Sequence, residues 1–417
     1  MRSHEVVVSS GTPLTLDDAY AQATAAALTP SSVGQVGLEL EFHLVDLREP
    51  LRPVSRDELR SLVGSIPPLP SGSAVTTEPG GQLELSTAVH VNVADSVAAL
   101  KSDQEVVARA IRGAGFGLAS IGADPARAPR RVLTSSRYVA MERHFDAVSC
   151  GQAGREMMSS TASLQVNLNA GPEAGWADRV AHVHRLGPVL IALSACSPFL
   201  AGCASGWRSM RQQTWERIDR ERCGPMPVDG DPAHAWAAYA LAAPVMLVRD
   251  ASGDSAYAVT KRLSFAQWVA GNVSFRRPPT GADLEYHLTT LFPPVRLRGY
   301  LEIRYLDAVP TRWWPALAGI VSTLIDDEVA AGRSAELCAG LENLWQTAAR
   351  RGLHEAALRR AAIGCVDVAA RRCPAELTQT VEDYAELLAQ GRTPGNELRE
   401  RAERVGPLAA MLEVANE

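Results

Sequence analysis

Apolar and polar positions alternate with a period of two in a handful of short stretches of this chain and recur near every 3.6 residues in most of the rest. That contrast predicts one modest sheet wrapped by many helices. Residues 35–45 read as a strand, and Ala74–Thr77 and residues 82–86 read as two strands joined by the turn Pro79-Gly80-Gly81. Residues 116–121, 162–169, 244–248 and the long stretch 295–305 complete the strand set. Helices are predicted over residues 15–28, 95–113, 136–148, 178–200 (bent at Pro188) and 211–221, and Ser55-Arg56-Asp57-Glu58 carries a capping box. From Trp313 onward nearly everything is helix-forming. The predicted fold is α+β: an antiparallel curved sheet of about six strands with one polar face, covered by helices, within residues 1–310. A helical C-terminal subdomain, residues 311–417, would pack on it.

The chemistry lies in which residues share a strand face. Alternation puts Glu39 and Glu41 on one side of their strand, with Leu38 and Leu40 on the other. Gln82, Glu84 and Ser86 repeat the pattern, with Glu78 just across the Gly-Gly turn. Gln165, Asn167 and Asn169 share a face, as do Arg296, Arg298, Tyr300, Glu302 and Arg304. A merely solvated face usually mixes Lys, Ser and Thr into its charges. Here four strands present mostly Glu, Gln, Asn and Arg, the ligands of hard cations and the clamps of carboxylates and phosphates. Gathered carboxylates repel unless a cation neutralises them, and Mg²⁺, which prefers oxygen and bridges nucleotide phosphates, is the simplest candidate. No G-x-x-x-x-G-K-[ST] loop is present, so a nucleotide such as ATP would be held without that cradle.

Composition narrows the field. The 417 residues allow two to four lobes or one large unit at roughly 100–200 residues per domain. Lys+Arg 41 against Asp+Glu 47 leaves a net charge of −6 with no basic stripe, which argues against a nucleic-acid partner. Only Lys101 and Lys261 are lysines, so phosphate handling would fall to arginine and metal. The longest apolar run, residues 189–201, is broken by Ser194, Cys196, Ser197 and Pro198, short of the ~20 apolar residues a membrane span needs. Met1–Ser10 lacks the apolar core of a secretory signal, and seven cysteines without a C-x-x-C pair read as reduced thiols. The expected setting is the cytoplasm. His182, His184 and the Trp313-Trp314 pair read as core, whereas His43 shares the acid face of its strand.

These strands resemble the plant-type glutamate–cysteine ligases, a family of the glutamine-synthetase-like carboxylate–amine ligases. The resemblance rests on Gly37-Leu-Glu-Leu-Glu41, Glu78-Pro-Gly-Gly-Gln-Leu-Glu-Leu-Ser86, Arg137-Tyr138, Met157-Met158 and Ser163-Leu-Gln-Val-Asn-Leu-Asn169. It continues through Ser209-Met-Arg211, Trp215, Asp219, Arg222, Leu291-Phe-Pro-Pro-Val-Arg-Leu297 and Tyr300-Leu-Glu-Ile-Arg304 followed by Asp307. The Arg- and Ala-rich style is similar to the actinobacterial branch that makes γ-glutamylcysteine for ergothioneine.

The resemblance implies ATP-dependent ligation of the L-glutamate γ-carboxylate to the amine of L-cysteine through a γ-glutamyl phosphate. It implies Glu39, Glu41, Glu78, Glu84 and Glu302 as ligands of about two or three Mg²⁺ ions. Arg304 and Arg211, with Glu302, would act on the transferring phosphoryl group or grip substrate carboxylates. Arg137, Gln165, Asn167, Trp215 and Arg222 would bind ATP or glutamate. Two departures bear on the acceptor: Ser159-Ser160 follows the Met-Met pair where plant sequences carry Arg, and Tyr305–Val309 replaces a glycine-rich segment. A ligase for another amine, a step that stops at the acyl phosphate, and a silent metal- or nucleotide-binding scaffold stand as alternatives.

Overall fold

The computed structural model describes residues 11–250, 253, 255–271 and 277–417; Met1–Ser10, read above for a secretory signal, lies outside them. Seven strands form one sheet: β1 Val36–Asp46, β2 Ala74–Thr77, β3 Leu83–Ser86, β4 Phe116–Ala119, β5 Ser163–Asn169, β6 Val295–Leu297 and β7 Tyr300–Asp307. Their order is β6-β7-β5-β1-β3-β2, and β4 pairs with the far end of β1. Every pairing is antiparallel.

The additional strand comes from residues 295–305, which are a hairpin and not one strand. The chain reverses through Arg298-Gly299-Tyr300, with Gly299 at φ +79°, a left-handed conformation that costs a residue with a Cβ. The reversal keeps the parity intact, because Arg296 lands directly opposite Glu302 on the same face. The hairpin tip is tied down by Gly299 N–H donating to the Ala27 carbonyl (2.9 Å) and Thr29 N–H donating to that of Gly299 (3.0 Å).

Register then aligns side chains into layers. On the apolar face Leu40 faces Leu85 and Leu164, and Val166 faces Leu38 and Ile303, all at 1% exposure or less. The helices Val93–Gly113, Trp176–Ser194 and Trp314–Asp326 pack against this face of the sheet. A single hydrophobic cluster runs from Ala27 to Ala415, so the helices after Pro310 share the core of the sheet instead of building their own. The histidines of Trp176–Ser194 sit in that core: His182 is bonded to the Leu324 carbonyl and His184 to that of Val180.

Other expectations shift. The helix expected over residues 211–221 is two pieces, Met210–Glu216 and Arg220–Cys223, the second capped by Asp219. The helix containing Pro188 stops at Ser194, and Phe199–Leu200 pairs instead with Cys203–Ala204. The strand expected at residues 244–248 is Leu247–Arg249, in a separate hairpin with Ala256–Ala258. Helices Gly151–Ser160, Pro232–Ala242, Phe265–Val269 and Gly281–Leu288 were not anticipated. The seven cysteines are all free thiols. No helix among the described residues is long and apolar enough to cross a membrane.

Because Gly299 must hold a left-handed φ, Gly299→Ala should lower unfolding free energy by about 1–2 kcal/mol, with Gly299→Asn milder. Urea denaturation of the three proteins checks this; equal midpoints for all three would refute the turn's conformation.

Candidate active site

The polar face of the sheet floors a cavity of about 330 Å³. Glu39, Glu41, Glu78 and Glu84 form one half of its wall, and Arg211, Arg296, Arg298 and Arg304 form the other, with Glu302 between. Strand register accounts for this. Glu41 faces Glu84 across β1 and β3, Glu39 faces Gln165 across β1 and β5, and Asn167 faces Glu302 across β5 and β7.

Three of the four acids are fixed by hydrogen bonds to their carboxylates. Glu41 accepts from the Ser163 amide (2.8 Å) and hydroxyl (2.9 Å), and Glu39 accepts from Asn167 Nδ2 (3.0 Å). Glu84 accepts from Thr76 (2.7 Å) and Ser86 (3.2 Å) hydroxyls. The Glu78 carboxylate has no hydrogen-bond or ion-pair partner among the described residues. Its position is set by the turn: Glu78 N–H donates to the Gln82 carbonyl (2.9 Å), and a Cβ on Gly80 would lie 2.5 Å from the Ser159 backbone. The small residue at Ser159, one of the two departures from the plant pattern, therefore sits where the Glu78 turn meets the helix Gly151–Ser160.

Burial, with crowding added at three of them, makes these carboxylates basic. Burial first, then the charges of Glu41 and Glu84, push the Glu78 pKa up to about 8. Burial also raises Glu39, where Glu302 and Glu84 add to it, and it raises Glu41 and Glu84. Glu302 is the exception. Burial would raise it, yet Arg296 and Arg304 hold it at about 2. Arg296 grips both of its oxygens, with Nη2–Oε1 at 2.8 Å, while Arg304 lies at 3.2 Å and Arg298 at 3.7 Å.

The donor set suits a hard divalent cation, since every acid supplies oxygen and none of the four elevated carboxylates has an ion-pair partner among the described residues. Among the described residues, however, no three His, Cys, Asp or Glu side chains already converge as one coordination group. The acids surround a space instead of forming a closed ligand shell.

The sequence-derived site residues divide. Gln165 lies in the wall and accepts from Arg304 Nη1 at 2.8 Å. Trp215 lines the cavity beside Phe292, ring centroids 5.4 Å apart. Arg137 stands at its edge, donating to the Thr289 carbonyl (3.0 Å) with its guanidinium 5.0 Å from the Tyr286 ring. Asn167 reaches the site through Glu39, without lining the cavity itself.

Arg222 is elsewhere. It is fully buried, and its guanidinium is spent on the Thr290 carbonyl (2.6 Å) and hydroxyl (3.0 Å) and on the Pro244 carbonyl, so the expected ATP or glutamate contact gives way to a structural clamp. His43 follows Glu39 and Glu41 in parity but lies where β4 pairs with β1; burial drops its pKa to about 4. Residues not singled out as site members also line the cavity: Tyr138, Met141, Ser163 and Phe292, with Arg296 and Arg298. For the two arginines the face parity was the available signal. For Phe292 the signal was its place in the resembling segment Leu291–Leu297, and for Met141 there was none.

A larger cavity of about 660 Å³ lies on the other side of Trp215, lined by Trp345, His184 and Arg185 among others. Two glutamates, Glu216 and Glu342, line it against five in the acid–arginine cavity, which is therefore the better equipped for charge-handling chemistry.

The profile of glutamate-cysteine ligase family 2 matches residues 35–413, and the chain belongs to that family. It is 46% identical over 402 residues to the glutamate–cysteine ligase EgtA of Mycolicibacterium smegmatis, covering 96% of this chain and 94% of that one. Against the chloroplastic glutamate–cysteine ligase of Arabidopsis thaliana the identity is 30% over 361 residues, covering 78% and 68% of the two chains. The glutamate–cysteine ligase of Francisella tularensis, solved in complex with AMP, shares the fold with a TM-score of 0.56 at 14% identity, covering 93% and 88%. The protein is thus an enzyme of the glutamate–cysteine ligase class.

The elevated Glu78 pKa has a stability signature. Between pH 6.5 and about 8 the folded protein retains a proton on Glu78 that the unfolded chain, titrating near 4.5, has lost. The Glu78 contribution to the stability of chelator-treated protein should therefore fall as pH rises through that window. The buried histidines, depressed below 6.5, are still partly protonated in the unfolded chain near pH 6.5 and add an opposite slope there, which wild type and variant share. Thermal melts of wild type and Glu78→Gln from pH 6.5 to 8 test this: wild type should lose stability relative to the variant as pH rises, and a difference that does not change with pH would overturn the assignment.

Proposed function

We propose that the enzyme joins the γ-carboxylate of L-glutamate to the amine of L-cysteine at the expense of ATP, giving γ-glutamylcysteine, ADP and phosphate, and that this product enters ergothioneine biosynthesis. The observation that carries the reading is the division of one polar sheet face into an acid half and an arginine half that meet at Glu302. The EgtA relatives support the glutamate and cysteine substrates and the pathway. The AMP held by the Francisella ligase agrees with use of an adenine nucleotide.

A carboxylate is a poor acyl donor because its leaving group would be oxide. In this reading a γ-carboxylate oxygen attacks the terminal phosphorus of ATP and ADP departs. The cysteine nitrogen then attacks the acyl carbon, loses its proton, and phosphate leaves. Glu39, Glu41, Glu78 and Glu84, with Glu302 at their border, would hold about two or three Mg²⁺ ions, which would offset the carboxylate and phosphate charge. Arg304, fixed by Gln165 and Glu302, and Arg211, buried beside Glu41, supply preorganised positive charge for the transferring phosphoryl group or the substrate carboxylates. Trp215, Phe292, Met157 and Met158 make the neighbouring wall apolar, a surface compatible with a thiol side chain.

The substitution at Ser159 favours one second reading, a ligase of the same mechanism for a different amine. One assay separates them: ADP and γ-glutamyl product measured with glutamate, MgATP and a panel of amines. Product formation should depend on cysteine; turnover with another amine and none with cysteine would favour the second reading. Glu41→Ala and Glu302→Ala should each lower turnover about 100-fold or more with an unchanged circular dichroism spectrum. Wild-type rates in either would remove the acids from the mechanism.

A further inference from the structure

Asp307 closes β7 and is 1% exposed, without touching the cavity itself. Its placement follows from a bulge. Ile303 faces Val166 and Leu306 faces Leu164, so Arg304 and Tyr305 together oppose the single residue Gln165. The extra residue shifts the alternation and brings Asp307, opposite Ser163, to the polar side of the sheet.

There its carboxylate gathers three donors from the segment that leads to Arg211. Oδ2 accepts from the Cys196 amide (2.9 Å) and the Ser197 hydroxyl (2.7 Å), and Oδ1 accepts from the Ser209 hydroxyl (2.8 Å). Both serines act again on the helix Met210–Glu216. Ser197 Oγ accepts the Arg211 amide (3.1 Å), and Ser209 Oγ caps the helix by accepting the Gln212 amide (3.1 Å). The bulge supplies the other side of the fit, since the Arg304 carbonyl accepts from Arg211 Nη2 (2.9 Å) and the Tyr305 carbonyl from Gln212 Nε2 (2.7 Å).

Arg211 is thus held at its backbone and at one guanidinium nitrogen. Its other terminal nitrogen, Nη1, is buried without a hydrogen-bond partner, 4.0 Å from Asp307, in a side chain that lines the cavity. A buried guanidinium N–H left unpaired is costly unless an anion completes it. We propose that Asp307 is a positioning residue for the ligase reaction: through Ser197 and Ser209 it sets the start of the helix that carries Arg211, leaving Nη1 free for a carboxylate of the glutamate substrate. This rests on the functional reading above and adds to it a residue that acts only through Arg211.

The test is a double-mutant cycle on the full chain with L-glutamate, L-cysteine and MgATP. Asp307→Asn keeps the volume but turns one acceptor into a donor facing two hydroxyls and an amide. It should raise KM for glutamate roughly tenfold while KM for ATP and kcat change much less. Ser197→Ala, which cuts one of the two links, should shift KM for glutamate in the same direction by less. In an Arg211→Ala background, Asp307→Asn should add nothing further, because the group it positions is gone. Additive losses in that background, or equal increases in KM for both substrates, would overturn the positioning role. So would an unchanged KM for glutamate in a folded Asp307→Asn protein, with folding followed by thermal melting. A wild type that makes no γ-glutamylcysteine would instead overturn the functional reading, a different outcome from an active wild type with an indifferent Asp307.

Discussion

The structure depends on keeping like charges close without letting them part. Four glutamates line one half of a small cavity, and burial, joined by repulsion from neighbouring acids at Glu39, Glu78 and Glu84, raises their proton affinity. What resists that repulsion is the backbone ladder beneath them. An antiparallel register permits no drift, because a slip of one residue would turn every glutamate into the core and every leucine into the cavity. The apolar face, sealed by three helices and buried to 1% exposure or less at its central positions, therefore serves the polar face directly. Burial of Leu38, Leu40, Val166 and Ile303 is what makes the positions of Glu39, Glu41, Gln165 and Glu302 obligatory.

The arginine half is organised differently. Its residues come from a hairpin, β6 and β7, and from a helix, and two irregularities bring them together. Gly299 folds Arg296 back onto Glu302, and the bulge at Arg304 and Tyr305 exposes carbonyls that receive Arg211 and Gln212. Glu302 belongs to both halves. Its carboxylate is fully engaged by guanidiniums, so it holds the arginines in place and separates them from the free acids. Any cation that took Glu302 as a ligand would have to share it with Arg296.

Much of this was legible in the sequence, for a reason that also marks the limit. Alternation is local, so the faces of β1, β3 and β5 could be read from single segments, and the acids of the cavity emerged with them. The Gly299 turn broke the reading of residues 295–305 because a lone glycine between charged residues is compatible with either a strand or a reversal. Helix Pro232–Ala242 is apolar nearly all round and shows no periodic contrast, and Gly151–Ser160 carries two glycines that weaken its helical signal; Gly154 is there because Phe145 packs against it. Arg222 belongs to the resembling motif, yet its burial against Thr290 and Pro244 is a long-range fact that no local pattern encodes. Asp307 was legible as a residue of the resembling segment, though without a role; its meaning required the bulge.

The sheet also receives a covering element from far along the chain. The helix Pro407–Asn416 packs against β4, so closely that a Cβ on Gly117 would lie 2.5 Å from the Ala415 carbonyl oxygen. β4 in turn pairs with the outer half of β1, the strand that carries Glu39 and Glu41. During synthesis β1 leaves the ribosome early, while the helix that seals its neighbour emerges some 370 residues later. Until then that strand surface lacks its cover and stays open to water and to other nascent chains, so completion of this face waits for the end of synthesis.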